Sequence, residues 1–298
     1  MLSLIVNPSS GGGRAGRALG AVRAALGHNG LEHHVEQTLD LMHARDLAAA
    51  AAAAGEMPVA FGGDGLVAAV ADAVRDTETV IGVLPGGRGN DFARCLGLPL
   101  DPVAATAVLA HGVATPVDMG AAGDRTFLGI ATCGFDSEAN RIANAARLIR
   151  GRFVYTYGGL RALAGWKPAS FALRVDGVEH AVYGYTVAVA NAAMHGGGML
   201  LAPEASLNDG QLDVVMIADL PKTTFLRMLP AVFKGKHVEL DEVTILRGHT
   251  VEINADRPFT IYADGDPLAV LPATLRVLPA AVRVMAPAGA PPEPTAAR

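Results

Sequence analysis

The sequence predicts an α/β protein: an N-terminal doubly wound parallel α/β domain followed by a mostly antiparallel, β-rich domain. Three observations carry this. Short apolar runs alternate with helical patterns over the first third, the signature of a parallel sheet covered by helices on both faces. Glycine-rich bends follow three of those runs, at what would be the carboxyl edge of that sheet. After Asp118 the helical pattern gives way to strand-like runs joined by turn signals such as Val175-Asp176-Gly177-Val178.

Leu2–Val6 reads as the first strand, with a helix over Arg14–Leu26 after a glycine-rich turn. Leu31–Gln37 is a strand, Leu41–Ala54 a helix, Val59–Phe61 a strand and Leu66–Arg75 a helix. Val80–Leu84 is a strand, followed by a glycine loop and a helix from Asp91. Later strand candidates are Phe127–Ala131, Phe171–Val175, Tyr183–Ala190, Leu212–Ile217, Val243–Leu246, Thr250–Ile253, Thr260–Tyr262 and Ala273–Val277. This places one domain at 1–117 and a second at 118–277. The segment 278–285 is a candidate to return to the first domain, and the Pro/Ala-rich 286–298 is expected to be a disordered tail.

Composition narrows the function. The 298 residues are 51% apolar and 18% charged, which excludes a disordered chain. A net charge of −5 argues against nucleic acid as a partner, because phosphate neutralisation needs cations. Cys95 and Cys133 are too few for a disulfide framework and read as buried thiols of a reducing compartment. The start, Met1–Pro8, lacks signal-peptide features, and no run approaches the ~18 charge-free apolar residues of a membrane span. A cytoplasmic protein with at most peripheral membrane contact is expected.

Gly11-Gly12-Gly13-Arg14-Ala15-Gly16 fits a dinucleotide fingerprint, but Asn7-Pro8-Ser9-Ser10 separates it from the strand. It also imitates a phosphate-binding P-loop, but Arg17-Ala18 stands where lysine and a hydroxyl residue are required. Two further clusters, Gly62-Gly63-Asp64-Gly65 and Gly86-Gly87-Arg88-Gly89-Asn90-Asp91, follow later strands. Glycines let a ligand approach the backbone, and amides near helix N-termini favour phosphate. Each cluster alone reads equally as an ordinary turn; three at one sheet edge point to a shared phosphate site. Asp64 is read as a carboxylate for a nucleotide metal or hydroxyl, against a helix-capping alternative. Asp91 is read as the cap, with Asn90 ordering the loop.

These segments resemble the diacylglycerol kinase catalytic-domain lipid kinases, which include bacterial diacylglycerol kinases and sphingosine-kinase-like proteins. The resemblance rests on Asn7-Pro8-Ser9-Ser10-Gly11, Gly62-Gly63-Asp64-Gly65 and Leu84 through Arg94, then on Gly196-Gly197-Gly198-Met199, Asn208-Asp209-Gly210-Gln211-Leu212-Asp213 and Asp264-Gly265-Asp266. It implies an ATP-binding α/β domain, a C-terminal β-sandwich and a cleft between them. The implied nucleotide contacts are Asn7, Gly12, Gly13, Thr38, Gly62, Gly63, Asp64, Gly65, Gly86, Gly87, Arg88 and Asn90. Asp209 would help hold a structural Mg²⁺, Asp64 would act at the reaction centre, and Asp266 would be the general base. The implied activity is transfer from ATP, with Mg²⁺, to a lipid hydroxyl, first of all diacylglycerol to phosphatidic acid. A sphingoid-base or NAD kinase, or a catalytically degenerate nucleotide- or lipid-binding protein, are the alternatives. Four departures bear on the last: Leu66 and Arg88 where threonines are usual, Asp266 for glutamate, and Asn191-Ala192 for Asn-Gly.

A lipid substrate calls for a docking surface. Arg141, Arg147, Arg150, Arg152, Arg161 and Lys167 fall in an acid-free stretch with Phe153, Tyr155, Tyr157, Leu160, Leu163 and Trp166. A second acid-free window, Pro221–His237, has Lys222, Arg227, Lys234 and Lys236 among apolar Phe225, Leu226, Met228, Leu229, Val232 and Phe233. Basic amphipathic segments of this kind suit an anionic bilayer surface, with solvated faces of packed helices as the plainer reading. A second copy of the chain is carried as a further candidate partner.

Overall fold

The computed structural model describes residues 1–145 and 153–289, and their side chains except residues 140, 143–145 and 153–156. The elements of the first domain are β1 (Leu2–Val6), α1 (Ser10–His28), β2 (His33–Gln37), α2 (Leu41–Ala53), β3 (Met57–Gly62), α3 (Asp64–Ala73), β4 (Val80–Pro85), α4 (Asp91–Cys95) and α5 (Pro102–His111). Its parallel strands lie in the order β2-β1-β3-β4. Leu4, Val6, Phe61 and Leu84 pack under α1 and α5, while Ile5, Ala60 and Ile81 pack under α2 and α3. Burial on both faces explains why β1, β3 and β4 read as mainly apolar runs. The order reverses between β1 and β3, so the loops leaving those two strands flank a crevice at the carboxyl edge.

Local signals set the helix starts. Asp40 caps α2 by accepting the His43 N–H at 2.8 Å. Asp101 caps α5, with Pro102 in its first turn. α5 was not legible as a helix because its apolar residues surround the axis rather than forming a stripe.

Next come β5 (Val113–Ala122), β6 (Arg125–Phe127), β7 (Ile130–Gly134), α6 (Phe135–Ala145), α7 (Phe153–Gly165), β8 (Ala169–Val175), β9 (Val178–Ala190), β10 (Met194–His195) and β11 (Met199–Leu200). Then follow β12 (Leu212–Ala218), α8 (Lys222–Val232), β13 (Val243–Gly248), β14 (Thr250–Ala255), β15 (Thr260–Ala263), β16 (Asp266–Val270) and β17 (Ala273–Ala286). The pairings among β7, β8, β9, β12, β13, β14, β15 and β16 are antiparallel. The β8–β9 hairpin closes through Asp176 (φ 47°) and Gly177 (φ 87°), the left-handed pair that a tight hairpin needs.

β17 ties the two halves together. It pairs antiparallel with β14 and β5, and its end pairs in parallel with β4 at Arg283–Val284. Of the C-terminal tail expected at 286–298, Ala286 ends β17 and 290–298 lie outside the described residues. Buried Asp118 fixes the junction: one oxygen accepts the Gly210 N–H and the other the Ala280 N–H, each at 2.7 Å.

The basic windows divide between core and surface. Leu163, Trp166, Phe225, Met228 and Val232 are buried beneath the second sheet, with Tyr185 and Phe225 stacked at 4.5 Å. Trp166 is therefore a core residue with one edge in a groove. Tyr157, Leu160, Leu226, Leu229 and Phe233 are exposed. Arg147, Arg150 and Arg152 lie outside the described residues. Among the described residues no helix is long and apolar enough to cross a membrane.

Both cysteines are buried, and burial pushes each thiol up to about 12. Neither is expected to react with a maleimide in the native protein at pH 8, and both are expected to react in denaturant. Fast native labelling would contradict this packing.

Candidate active site

The three glycine bends meet. Gly86 and Gly87 both donate their N–H groups to the Gly62 carbonyl, at 2.7 and 3.0 Å. A methyl added at Gly87 would lie 2.4 Å from the Gly63 Cα, and one at Gly11 would lie 2.5 Å from the Gly86 carbonyl oxygen. Backbone against backbone at this range admits only glycine. Gly11, Gly12 and Gly13 all sit at positive φ, between 63° and 85°, so regular helix begins only at Arg14.

This reassigns some of the expected phosphate donors. The Gly86 and Gly87 amides are committed inside the protein, as is Gly13, which donates to the Ser9 carbonyl at 3.0 Å. Gly86 and Gly87 serve close approach instead. Space remains at Gly12, where an added methyl would meet nothing within 4 Å; at Gly63, which precedes the first turn of α3, one would lie 3.3 Å from the Gly87 Cα. Gly65 lies in that first turn. Asn7 braces the first bend, its Oδ1 accepting the Ser9 N–H at 3.1 Å.

Asn90 orders the third bend. It sits at φ 52°, accepts the Gly87 N–H at 2.8 Å and donates to the Gly87 carbonyl at 3.2 Å. Asp91 does not cap α4; both its oxygens accept the Gly197 N–H, at 3.1 and 2.8 Å. It thereby tethers the triple glycine of the second domain to the first. Asp64 opens α3 and accepts the Phe92 N–H at 3.0 Å, joining the second bend to the third. Burial and the neighbouring Asp91 charge push its carboxyl up to about 6.

The second domain contributes the β15–β16 hairpin. Asp264 (φ 51°) and Gly265 (φ 93°) form its turn, and Ala263 pairs with Asp266 across it. The enclosed Asp264 carboxylate accepts the Leu128 and Gly129 N–H groups at 2.9 and 3.0 Å. Those bonds split the strand expected over Phe127–Ala131, because residues 128 and 129 turn toward Asp264 rather than into a ladder. Burial pushes Asp264 up to about 7. Asp266 meets the second bend: its Oδ2 lies 3.6 Å from where a Gly65 methyl would sit. Partial desolvation raises its carboxyl, although the residue as a whole is exposed.

Two carboxylates raised above the usual ~3.9 make stability depend on pH. Between about pH 4 and 7 the folded chain holds protons that the unfolded chain has released. This contribution is complete below pH 4 and is lost as the pH rises through 6 and 7. The metal-free melting temperature is expected to fall between pH 5 and 8, and Asp64→Asn to flatten that fall; calorimetry that finds no fall would contradict the crowding.

Cations that the sequence reading did not select surround the bends. Arg14 donates to the Gly87 carbonyl, Arg17 to the Gly12 carbonyl at 3.2 Å and Arg94 to the Gly89 carbonyl at 3.1 Å. Arg14 stands in the motif set aside for lacking a P-loop lysine; its reach of 73 residues along the chain left no local signal. Arg88 is exposed at the third bend. Thr38 is buried at the end of β2, and its hydroxyl donates to the Asp40 carbonyl. Leu66 is buried in the first core beside Gly62, and Asn191 is buried with its amide donating to the Asp118 and Leu128 carbonyls at 2.9 Å each.

Asp209 belongs to the loop before β12. It is exposed, and its Oδ1 accepts the Gln211 N–H at 3.0 Å. Among the described residues no group of three acidic, histidine or cysteine side chains is arranged to hold a metal. One feature does fit a cation here: Asp213 Oδ2 is buried without a hydrogen-bond partner among the described residues, although Oδ1 is paired with Arg247 at 2.9 Å. Asp209 Oδ2, Asp213 and backbone carbonyls are the donors such an ion would use.

Comparison with known proteins accounts for both halves. Residues 1–122 match the diacylglycerol kinase catalytic domain, and residues 129–286 match the YegS C-terminal NAD kinase beta sandwich-like domain. A diacylglycerol kinase of Mycobacterium tuberculosis is 37% identical over 92% of this chain and 91% of its own length. The chain belongs to the diacylglycerol kinase catalytic-domain family. A member from Bacillus subtilis, also a diacylglycerol kinase, is 27% identical over 90% of each chain. Two crystal structures from Bacillus anthracis share the fold. A diacylglycerol kinase superposes with a TM-score of 0.75 at 19% identity, covering 96% of this chain and 97% of its own. The other gives 0.82 at 21%, covering 96% and 95%.

Proposed function

We propose that this family member transfers the γ-phosphoryl group of ATP to a lipid hydroxyl, with diacylglycerol the first candidate and phosphatidic acid its product. The observation that carries the reading is the position of Asp266, a carboxylate of the second domain at the lip of the glycine bends of the first. Phosphoryl transfer needs position and charge neutralisation more than covalent chemistry. The open bend at Gly12 and the N-terminus of α3 at Gly63 would receive the polyphosphate, with the Arg14 and Arg17 guanidinium groups beside it. Asp266 would accept the hydroxyl proton as the oxygen bonds to the γ-phosphorus and the β–γ bridging bond breaks.

Asp64 and Asp91 fit a nucleotide-bound Mg²⁺: both approach Gly89, with Oδ2 atoms 3.3 and 3.1 Å from its added methyl, and their crowding is what a divalent cation would relieve. Mg²⁺ would supply charge neutralisation on the phosphates. Arg88, exposed at the third bend where the family resemblance implies a threonine, would replace a hydroxyl contact with a charged one.

The test is transfer from γ-labelled ATP to a panel of diacylglycerol, a sphingoid base and NAD. Labelled phosphatidic acid alone supports the reading. Product from NAD alone, or ATP binding without any product, would overturn it.

A further inference from the structure

We propose that a groove between α6, α7 and the β14–β15 connection binds the phosphate of an anionic lipid headgroup. This deepens the lipid-kinase reading, on which it rests for the lipid. The groove has a volume of about 770 Å³ and extends along β15 to Tyr262, two residues before Asp264.

Its chemistry is one of donors without an acceptor. Trp166 lines it and is only 6% exposed, yet its indole N–H has no hydrogen-bond partner among the described residues. A buried donor left this way is costly unless a ligand or water accepts it. Arg257 lies 5.6 Å over the Trp166 ring and 5.1 Å over Phe259, its guanidinium held by the Lys167 and Pro168 carbonyls.

The nearby acids are already engaged. Glu138 takes two bonds from Arg141, each 2.7 Å, and Asp256 lies 3.6 Å from Arg257. Arg161 and Lys167 are the groove cations without a paired carboxylate among the described residues. Neutral diacylglycerol carries no anionic group to pair with them. A phosphodiester offers oxygens to both cations.

The rim favours a lipid over free phosphate. Tyr157 and Leu160 on α7 stand exposed, at 40% and 56%, beside Arg161. Apolar side chains flanking cations are how a peripheral protein meets acyl chains beneath headgroups.

Trp166 is the only tryptophan, so its fluorescence reports on this groove. Without nucleotide, phosphatidylglycerol in phosphatidylcholine vesicles is expected to change Trp166 emission and to co-sediment the protein, whereas phosphatidylcholine alone is not. R161Q/K167Q, with an unchanged melting temperature, should weaken that response roughly tenfold or more. K234Q/K236Q, in the other basic window, should leave it in place. Equal response to both vesicles, an unaffected R161Q/K167Q, or equal loss in K234Q/K236Q would overturn the groove as the site. Saturation by inorganic phosphate alone would overturn the lipid as its source. None of these readouts needs phosphoryl transfer, so a failed kinase reading and a failed groove are told apart.

Discussion

Asp266→Asn is expected to lower turnover by about 100-fold or more while leaving ATP affinity nearly unchanged. The carboxylate comes from the second domain to the lip of the second glycine bend, at the start of β16 in a hairpin whose turn is fixed by Asp264. Asparagine keeps the size and the β16 pairing but cannot take a proton. Loss of turnover should appear in kcat rather than in the Michaelis constant for ATP. Asp266→Glu carries the carboxyl about 1.5 Å further into the cleft and tests whether reach or basicity limits the rate. Unchanged turnover in Asp266→Asn would remove this residue from the chemistry.

Gly87→Ala is the second large effect. Its methyl would press 2.4 Å from the Gly63 Cα and 2.9 Å from Asn90 Oδ1. The Gly63 atom belongs to the main chain, so no rotamer change relieves it. The second and third bends would have to part, breaking the Gly86 and Gly87 bonds to the Gly62 carbonyl. ATP affinity is expected to fall by at least about tenfold, on the scale of one or two lost charged hydrogen bonds. Gly20→Ala, in the body of α1 with nothing within 4 Å, is the control; it should leave ATP affinity unchanged and raise stability by roughly 0.5–1 kcal/mol. Equal ATP affinity in Gly87→Ala would mean that the contact between bends does not shape the nucleotide site.

The inner strands β1, β3 and β4 were legible because both their faces are buried, so each is a mainly apolar run; β2, at the edge, is His-His-Val-Glu-Gln and only partly buried. The hairpin at Asp264-Gly265 was legible for the same local reason, since Asp-Gly supplies left-handed backbone. What stayed hidden depends on distant partners. Asp264 lies in a motif that singled out Asp266, yet its grip on residues 128 and 129 spans more than a hundred positions. Asp118, Arg14 and Asp91 are similar: their types are ordinary, and only the fold shows which amides or carbonyls they meet. The glycines were read as open amide donors when Gly86 and Gly87 in fact donate within the protein. Sequence marks where a backbone must come close, but not whether to a ligand or to another strand end. Trp166 was read with its window as either bilayer-facing or part of a packed helix; its burial beside the stacked Tyr185 and Phe225 shows that it is mostly core.

The most direct measurement is a crystal structure with magnesium and a non-hydrolysable ATP analogue. The triphosphate is expected between Gly12 and Gly63, beside Arg14, with its terminal phosphate turned toward Asp266. A triphosphate bound elsewhere, or one whose terminal phosphate faces away from the β15–β16 hairpin, would contradict a phosphoryl-transfer site at this cleft.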